Sequence, residues 1–164
     1  SDTGRLICEF LMFVGASPLS TGGGIKTTTF FVIILAIFSY MHGKKPVVFQ
    51  RTISQNSITR AMALIFVAST VIVIGYLGIE IIESSYQMNY ASGRIFFEVF
   101  SAFNTVGYTQ SLTPILHNGS KAVLSLLMFF GRVGPITVLS VFSTALNSEK
   151  EGHVRYIEEN LVIG

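Results

Sequence analysis

Residues 95–109 read IFFEVFSAFNTVGYT, in which a mostly apolar run up to Phe103 precedes a short loop centred on Gly107. A helix over the nine residues 95–103 is about 14 Å long and cannot cross a hydrocarbon core of about 30 Å. On either side lies an apolar stretch long enough to cross, 61–82 before it and 122–146 after it. The sequence therefore predicts an all-α membrane protein in which a helix, a re-entrant half-helix and a second helix follow one another.

The composition also indicates a membrane protein. Of the 164 residues, 50% are hydrophobic and 12% are charged, with a mean hydropathy of +0.60, whereas soluble domains carry about 25% charged residues. A net charge of +2 from scattered Lys and Arg does not make a surface that binds nucleic acid by releasing counterions. Cys8 has no second cysteine to pair with, and the three histidines lie far apart along the chain. We therefore expect no metal centre.

A second, interrupted span is expected near the start of the chain. Two apolar runs, 6–16 and 28–41, are each too short to cross a bilayer, and residues 17–27 between them read SPLSTGGGIKT. Irregular backbone at membrane depth leaves amide groups without partners, so it persists only when buried in protein or lining a water-filled cavity. This Gly-rich loop (17–27) is therefore predicted to border a pathway. It is not a Walker phosphate loop, because Ile25 separates Gly24 from Lys26.

The charges after the interrupted span indicate its orientation. Four basic residues and no acidic ones lie in the connection that follows residue 41: Lys44, Lys45, Arg51 and Arg60. By the positive-inside rule this connection is cytoplasmic, so the 61–82 helix runs outward and the C-terminal tail returns to the cytoplasm. Since the chain has no initiator Met and no signal peptide, we expect the interior and end of a longer, multi-pass protein of the cell membrane.

The loop after the half-helix is similar to an ion filter. Four of the five residues in the 105–109 loop match the Thr-Val-Gly-Tyr-Gly loop of potassium channels, in which backbone carbonyls replace the hydration shell of the ion. Gly107 can hold the unusual dihedral angles that turn carbonyls inward. The C-terminal end of the half-helix would direct its partial negative charge at a cation. The alternative is a simple glycine turn between two membrane elements.

Two cations lie within the predicted membrane segments. Arg132 lies near the middle of the 122–146 stretch, and an intramembrane charge normally faces a bundle interior or an aqueous cavity. Arg132 thus either borders the pathway or pairs only to hold two helices together. Lys26 could occupy part of the ion path when the pathway is closed, or it could reach the cytoplasmic interface by snorkelling.

Four carboxylates have no partner that the sequence assigns. Glu80 and Glu83 could attract cations to an outer vestibule, although interfacial carboxylates commonly just face water. Glu9 and Glu98 lie in short membrane segments and could neutralise a Lys or Arg.

Taken together, the chain resembles the Ktr/Trk/HKT superfamily of potassium transporters, and within it the KtrB-type membrane subunits. The resemblance covers essentially the whole chain. The stretches that carry it are 15–18 with 20–29 (GASP and STGGGIKTTT), 101–103 with 105–107 (SAF and TVG), 128 with 131–135 (M and GRVGP), and the C-terminal 155–156 with 161–164 (RY and LVIG). Tyr108 departs from the family pattern, in which an aliphatic residue is commoner.

This resemblance implies four repeats around one pore, of which the chain holds the end. Residues 1–54 would be the second helix of a preceding repeat, broken by the Gly-rich loop, with a cytoplasmic connection. Residues 55–146 would be the last pore repeat, and 147–164 a cytoplasmic tail. The filter residues would be Thr105, Val106, Gly107 and Tyr108, with potassium at the backbone carbonyls of Thr105, Val106 and Gly107. The gate residues would be Gly22, Gly23, Gly24, Lys26, Thr27 and Arg132.

The resemblance also implies partners and ions. The full-length protein would be a homodimer, with Gly164 near the subunit contact, in membrane lipid and on a cytoplasmic ring of nucleotide-binding, RCK-type regulatory subunits. Potassium would be the transported ion, sodium would stimulate uptake or pass as well, and no covalently bound cofactor or nucleic acid is expected.

The leading hypothesis is therefore potassium uptake, with this chain supplying one of four filter loops and the gating loop. The alternative is a non-conducting membrane scaffold or anchor subunit, in which the Gly-rich loop serves only tight helix packing. An intramembrane enzyme is disfavoured because the sequence has no nucleophile–base pair and no metal-ligand pair, so no catalytic residue is expected.

Overall fold

The computed structural model describes residues 2–18, 20–43, 46–48, 51–88, 90–134 and 137. This part of the chain is mainly α-helical, as predicted, with one short antiparallel ladder in the connection between the second and third helices. The elements are α1 (Asp2–Phe13), α2 (Thr27–Met41), β1 (Val47–Val48), β2 (Arg51–Thr52), α3 (Gln55–Ser85), α4 (Ser92–Phe103) and α5 (Asn118–Val133).

Helix α3 contains the predicted 61–82 span. Its 31 residues reach about 46 Å, and it is the one helix within the described ranges that is long and apolar enough to cross a membrane. Ser54 caps the start of the helix, because its side chain accepts a hydrogen bond from the amide of Ser57. One stripe of the helix is buried against the rest of the protein, while Phe66 on another face is 73% exposed. An exposed large apolar side chain suits a helix that meets lipid.

Helix α5 covers only the first part of the predicted 122–146 span. It begins at Asn118 and ends at Val133, because Gly134 has a φ of +85°, which is outside the right-handed helical region. Its 16 residues reach about 24 Å, less than the thickness of the hydrocarbon core. The remainder of that predicted span after residue 137, and the predicted tail at 147–164, lie outside the described residues.

The predicted interruption between two short helices is present. Irregular backbone connects the end of α1 to the start of α2. A parallel bridge joins Val14 to Ile25, and the amide of Thr27 donates to the carbonyl of Ala16 at 3.2 Å. The chain therefore folds back on itself here, which brings the ends of both helices together.

Helix α4 contains the short apolar run 95–103, and it packs against α1, α3 and α5. Ile95, Val99, Ala102 and Phe103 of α4 lie in the buried apolar cluster. With 12 residues the helix is about 18 Å long, which is too short to span a bilayer. The three neighbouring helices cover it in the described part of the chain.

Candidate functional site

The 105–109 loop leaves α4 by a sharp turn. The amide of Thr105 donates to the carbonyl of Ala102 at 3.0 Å, and the amide of Val106 donates to the carbonyl of Ser101 at 2.9 Å. Thr105 and Gly107 have φ values of +53° and +86°, a region that residues other than glycine rarely adopt. Hydrogen bonds to the last turn of α4 thus hold the start of the loop in an unusual conformation.

The rest of this loop is open. Val106 is 40% exposed and Tyr108 is 67% exposed, and no described atom lies within 4 Å of a Cβ built on Gly107. Within the described residues, no donor is hydrogen-bonded to the carbonyl oxygens of Thr105, Val106 or Gly107. Three neighbouring carbonyls are therefore available to a ligand from outside the described part.

The Gly-rich loop lies directly against this loop and against α5. The amide of Gly23 donates to Thr105 Oγ1 at 2.8 Å, across 82 positions of sequence. The amide of Gly24 donates to the carbonyl of Gly131 in α5 at 3.2 Å. Two stretches that the sequence predicted separately as pathway candidates are thus in contact.

The contact is too close for side chains at two glycines. A Cβ on Gly24 would overlap the amide oxygen of Asn104, and a Cβ on Gly131 would overlap the carbonyl of Phe103. Gly24 has in addition a φ of +77°. Neither Gly131 nor Asn104 was predicted as a site residue, although Gly131 lies in the GRVGP stretch that carries the family resemblance.

Both cations of this region bind carbonyl oxygens of the Gly-rich loop. Lys26 Nζ donates to the carbonyls of Ser20 at 3.1 Å and Gly22 at 2.6 Å. Arg132 donates to the carbonyl of Thr21. The ammonium of Lys26 thus folds back onto its own loop rather than extending away from it, and Arg132 connects that loop to α5.

A cavity of about 440 Å³ lies where the two loops meet. One side is formed by Gly15, Ala16 and Gly22, and the other by Thr105, Val106 and Tyr108. Three predicted filter residues and one predicted gate residue therefore border a common space: Thr105, Val106, Tyr108 and Gly22. The other predicted filter and gate residues are not among the residues that line it: Gly107, Gly23, Gly24, Lys26, Thr27 and Arg132.

In the described residues, three of the four carboxylates considered in the sequence have partners that the sequence did not assign, whereas Glu80 Oε2 has no hydrogen-bond partner there. Glu83 accepts from the amide of His117 at 3.0 Å and the hydroxyl of Ser120 at 2.5 Å, and so it caps the start of α5. Glu9 Oε1 lies 3.6 Å from Arg5 Nε. This agrees with the expectation that Glu9 could neutralise a Lys or Arg.

Glu98 differs from the expectation that it neutralises a Lys or Arg. Its carboxylate accepts hydrogen bonds from the hydroxyls of Thr109 at 2.5 Å and Thr113 at 2.6 Å, and from the amide of Gln110 at 2.9 Å. These partners lie 11 to 15 positions later in irregular backbone, where no periodic spacing could have indicated them.

Comparison with known proteins identifies the group to which this arrangement belongs. Residues 1–153 match the TrkH family, described as cation transport protein. The chain is 38% identical over 155 residues to the Ktr system potassium uptake protein B of Bacillus subtilis, a match that covers 94% of this chain and 33% of that protein. It is 37% identical over 166 residues to the potassium/sodium uptake protein NtpJ of Enterococcus hirae, covering 100% of this chain and 36% of that protein.

A third relative is the Ktr system potassium uptake protein D of Bacillus subtilis, 35% identical over 165 residues, with 100% of this chain and 35% of that protein covered. The chain spans about a third of the length of these curated relatives. The family is one of membrane transporters rather than enzymes, and the long apolar α3 agrees with a place in a membrane. The resemblance predicted from the sequence motifs is thereby confirmed, and the chain belongs to the TrkH family of cation transport proteins.

Proposed function

We propose that this chain forms part of the ion pathway of a potassium uptake protein in the cell membrane. One observation carries the proposal: two irregular stretches, the Gly-rich loop and the 105–109 loop, are joined by the hydrogen bond from Gly23 to Thr105 and border one cavity. Irregular backbone at membrane depth is stable only inside protein or beside water. The names of the potassium uptake relatives support potassium as the ion.

In this proposal Thr105, Val106, Gly107 and Tyr108 make one of four parts of a filter. Potassium loses water at the carbonyl oxygens of Thr105, Val106 and Gly107. The absence of hydrogen bonds to those oxygens in the described residues supports this role. The name of the Enterococcus hirae relative supports sodium as a second ion that interacts with the pathway.

The remaining parts of the proposal concern the whole protein. Four repeats surround one pore. Residues 1–54 end one repeat, 55–146 form the next and last one, and 147–164 form a cytoplasmic tail. The full-length protein works as a homodimer with cytoplasmic nucleotide-binding, RCK-type subunits. The word system in the names of two relatives supports an assembly of several components.

A non-conducting scaffold is the competing function. It would explain the close packing at Gly24 and Gly131, because small residues let membrane helices approach. It would not explain a loop with exposed Val106 and Tyr108 and three carbonyls that lack described partners. The pathway is therefore the better account of the geometry.

Cysteine accessibility distinguishes the two functions. In full-length protein with Cys8→Ala and no other cysteines, we expect Val106→Cys to react with a charged, water-soluble thiol reagent, because the reactive thiolate forms only in contact with water. High potassium should slow the reaction, since the ion would occupy the adjacent carbonyls. The matched control is Phe66→Cys, at a more exposed side chain on α3, which should react much more slowly because it faces lipid. Equal rates at the two positions, or no protection by potassium, would contradict the pathway.

We further propose that residues 22–27 and Arg132 form the gate. The bond from Arg132 to Thr21 fastens the Gly-rich loop to α5, and the bonds from Lys26 to Ser20 and Gly22 fix the shape of the loop itself. A hydrogen bond from a charged donor contributes about 1.5–3 kcal/mol. A few such bonds match the free-energy differences of a few kcal/mol that separate functional conformations.

Removing the Arg132 bond is expected to favour the open gate. In full-length protein, Arg132→Gln should raise potassium flux in the absence of regulatory subunits by about tenfold, the equivalent of about 1.4 kcal/mol. Tracer uptake into proteoliposomes measures this. The control is Lys121→Gln, which also removes a bond from a cation to a carbonyl, that of Pro114 at 3.0 Å, but away from the Gly-rich loop. Unchanged or lower flux in Arg132→Gln would argue against its role in the gate.

A further inference from the structure

Glu98 is a buried carboxylate. In the described part of the chain, all of its hydrogen bonds connect it to one segment, residues 109–113. It is 4% exposed, and burying a charged group is costly unless hydrogen bonds compensate. The compensation comes from the hydroxyls of Thr109 and Thr113 and the amide of Gln110. Glu98 in α4 therefore anchors the chain directly after the 105–108 stretch.

A second side chain of α4 also binds Gln110. Arg94, one helical turn before Glu98, donates to the carbonyl of Gln110 at 2.8 Å. Both backbone polar groups of Gln110 are thus held by side chains of α4. The amide of Ser111, which has a φ of +59°, donates to the hydroxyl of Thr109 at 3.1 Å, so the turn is organised around a hydroxyl that Glu98 holds.

The 105–108 stretch is fastened to α4 both at its start and directly after its end, and its conformation depends on both attachments. Its start is fixed by the amides of Thr105 and Val106, which donate to α4 backbone. Gly107 and Tyr108 make no hydrogen bond within the described residues. The directions of their carbonyls are therefore set by where the chain is fastened before and after them.

We propose that Glu98 is a positioning residue that sets the ion selectivity of the pathway by fastening the outer end of the 105–108 stretch to α4. The inference rests on the proposed function. Glu98 acts through Thr109, Gln110 and Thr113 and does not touch the ion. Its role is therefore geometric, and it differs from electrostatic attraction by an acidic residue that faces the pore.

The experiment compares four variants of the full-length protein in cells that lack other potassium uptake. For each variant, the KM values for potassium and sodium are measured together with membrane abundance and dimer assembly. We expect Glu98→Ala to reduce potassium preference over sodium by about tenfold, the equivalent of about 1.4 kcal/mol. Thr113→Val, which removes one donor, should change it in the same direction by less.

Glu98→Gln separates position from charge. The amide oxygen can accept the bonds from Thr109 and Gln110, and the amide nitrogen can donate to the hydroxyl oxygen of Thr113, so most of the selectivity should survive. The control is Thr59→Val, because the hydroxyl of Thr59 donates to the carbonyl of Gln55 within its own helix. Its selectivity should equal that of the wild type.

Two results would overturn the inference while leaving the proposed function intact. One is unchanged selectivity in Glu98→Ala, or in Thr113→Val should Glu98→Ala fail to assemble. The other is a loss in Glu98→Gln as large as in Glu98→Ala, which would assign the effect to charge. A wild-type protein that takes up no potassium above the empty-vector level would instead reject the proposed function, and the inference with it.

Discussion

Gly107→Ala is expected to abolish selective potassium uptake by the full-length protein while leaving its assembly unchanged. Gly107 has a φ of +86°, and an L-residue in a left-handed conformation costs about 1–2 kcal/mol. No described atom lies within 4 Å of the added methyl group, so the effect is conformational rather than steric. The loop would relax toward a negative φ and turn its carbonyls away, and we expect potassium preference over sodium to fall by at least tenfold, or about 1.4 kcal/mol.

The matched control for this change is Gly78→Ala in α3. The nearest described atom to a Cβ there is Val123 Cγ1 at 4.0 Å, and alanine is favoured over glycine inside a helix by about 1 kcal/mol. Uptake should therefore be normal. The potassium preference over sodium is measured by competition between the two ions in tracer uptake. Membrane abundance is measured on the same samples. Wild-type selectivity in Gly107→Ala would contradict the proposed role of the 105–108 stretch as a filter.

Gly131→Ala is expected to cause the largest loss of stability among the glycine variants. Its Cβ would overlap the backbone carbonyl of Phe103, and a backbone atom cannot move aside as a flexible side chain can. Overpacking costs about 1–3 kcal/mol and sometimes more. Separation of α4 from α5 would in addition weaken the hydrogen bond from Gly24 to the carbonyl of Gly131.

We therefore expect Gly131→Ala to lower the thermal midpoint of the detergent-purified protein by several degrees and to reduce potassium uptake severely. The control lies on the same helix: a Cβ on Gly119 would meet Ile82 Cγ2 at 3.5 Å, an ordinary van der Waals distance. Gly119→Ala should melt close to the wild type. Equal melting temperatures of the two variants would contradict the close contact between α4 and α5.

The regular elements were predictable because length and apolar composition decide them in a bilayer. The short helix at Ser92–Phe103 and the long helix at Gln55–Ser85 contain the predicted apolar runs. The end of α5 was not predicted, because hydropathy continues past residue 133 while a positive φ at Gly134 ends the helix.

The connections within the candidate site were less predictable. Arg132 and Lys26 were identified from their unusual place among apolar residues, but the carbonyls that they bind were not. Glu98 was expected beside a cation and instead accepts bonds from Thr109, Gln110 and Thr113. In irregular backbone no fixed spacing relates a side chain to its partner.

The amino-acid sequence by itself determined that the chain is helical and membrane-embedded, that its first apolar region is interrupted by the Gly-rich loop, and to which family it belongs. Apolar run length and the demand of backbone amides for partners in lipid are local properties, which each segment carries alone. The tertiary structure alone decided that Gly23 meets Thr105 across 82 positions and that Glu98 accepts hydrogen bonds from the residues that follow the 105–108 stretch. Such contacts depend on how separate helices pack in three dimensions, and that packing is a property of the whole fold.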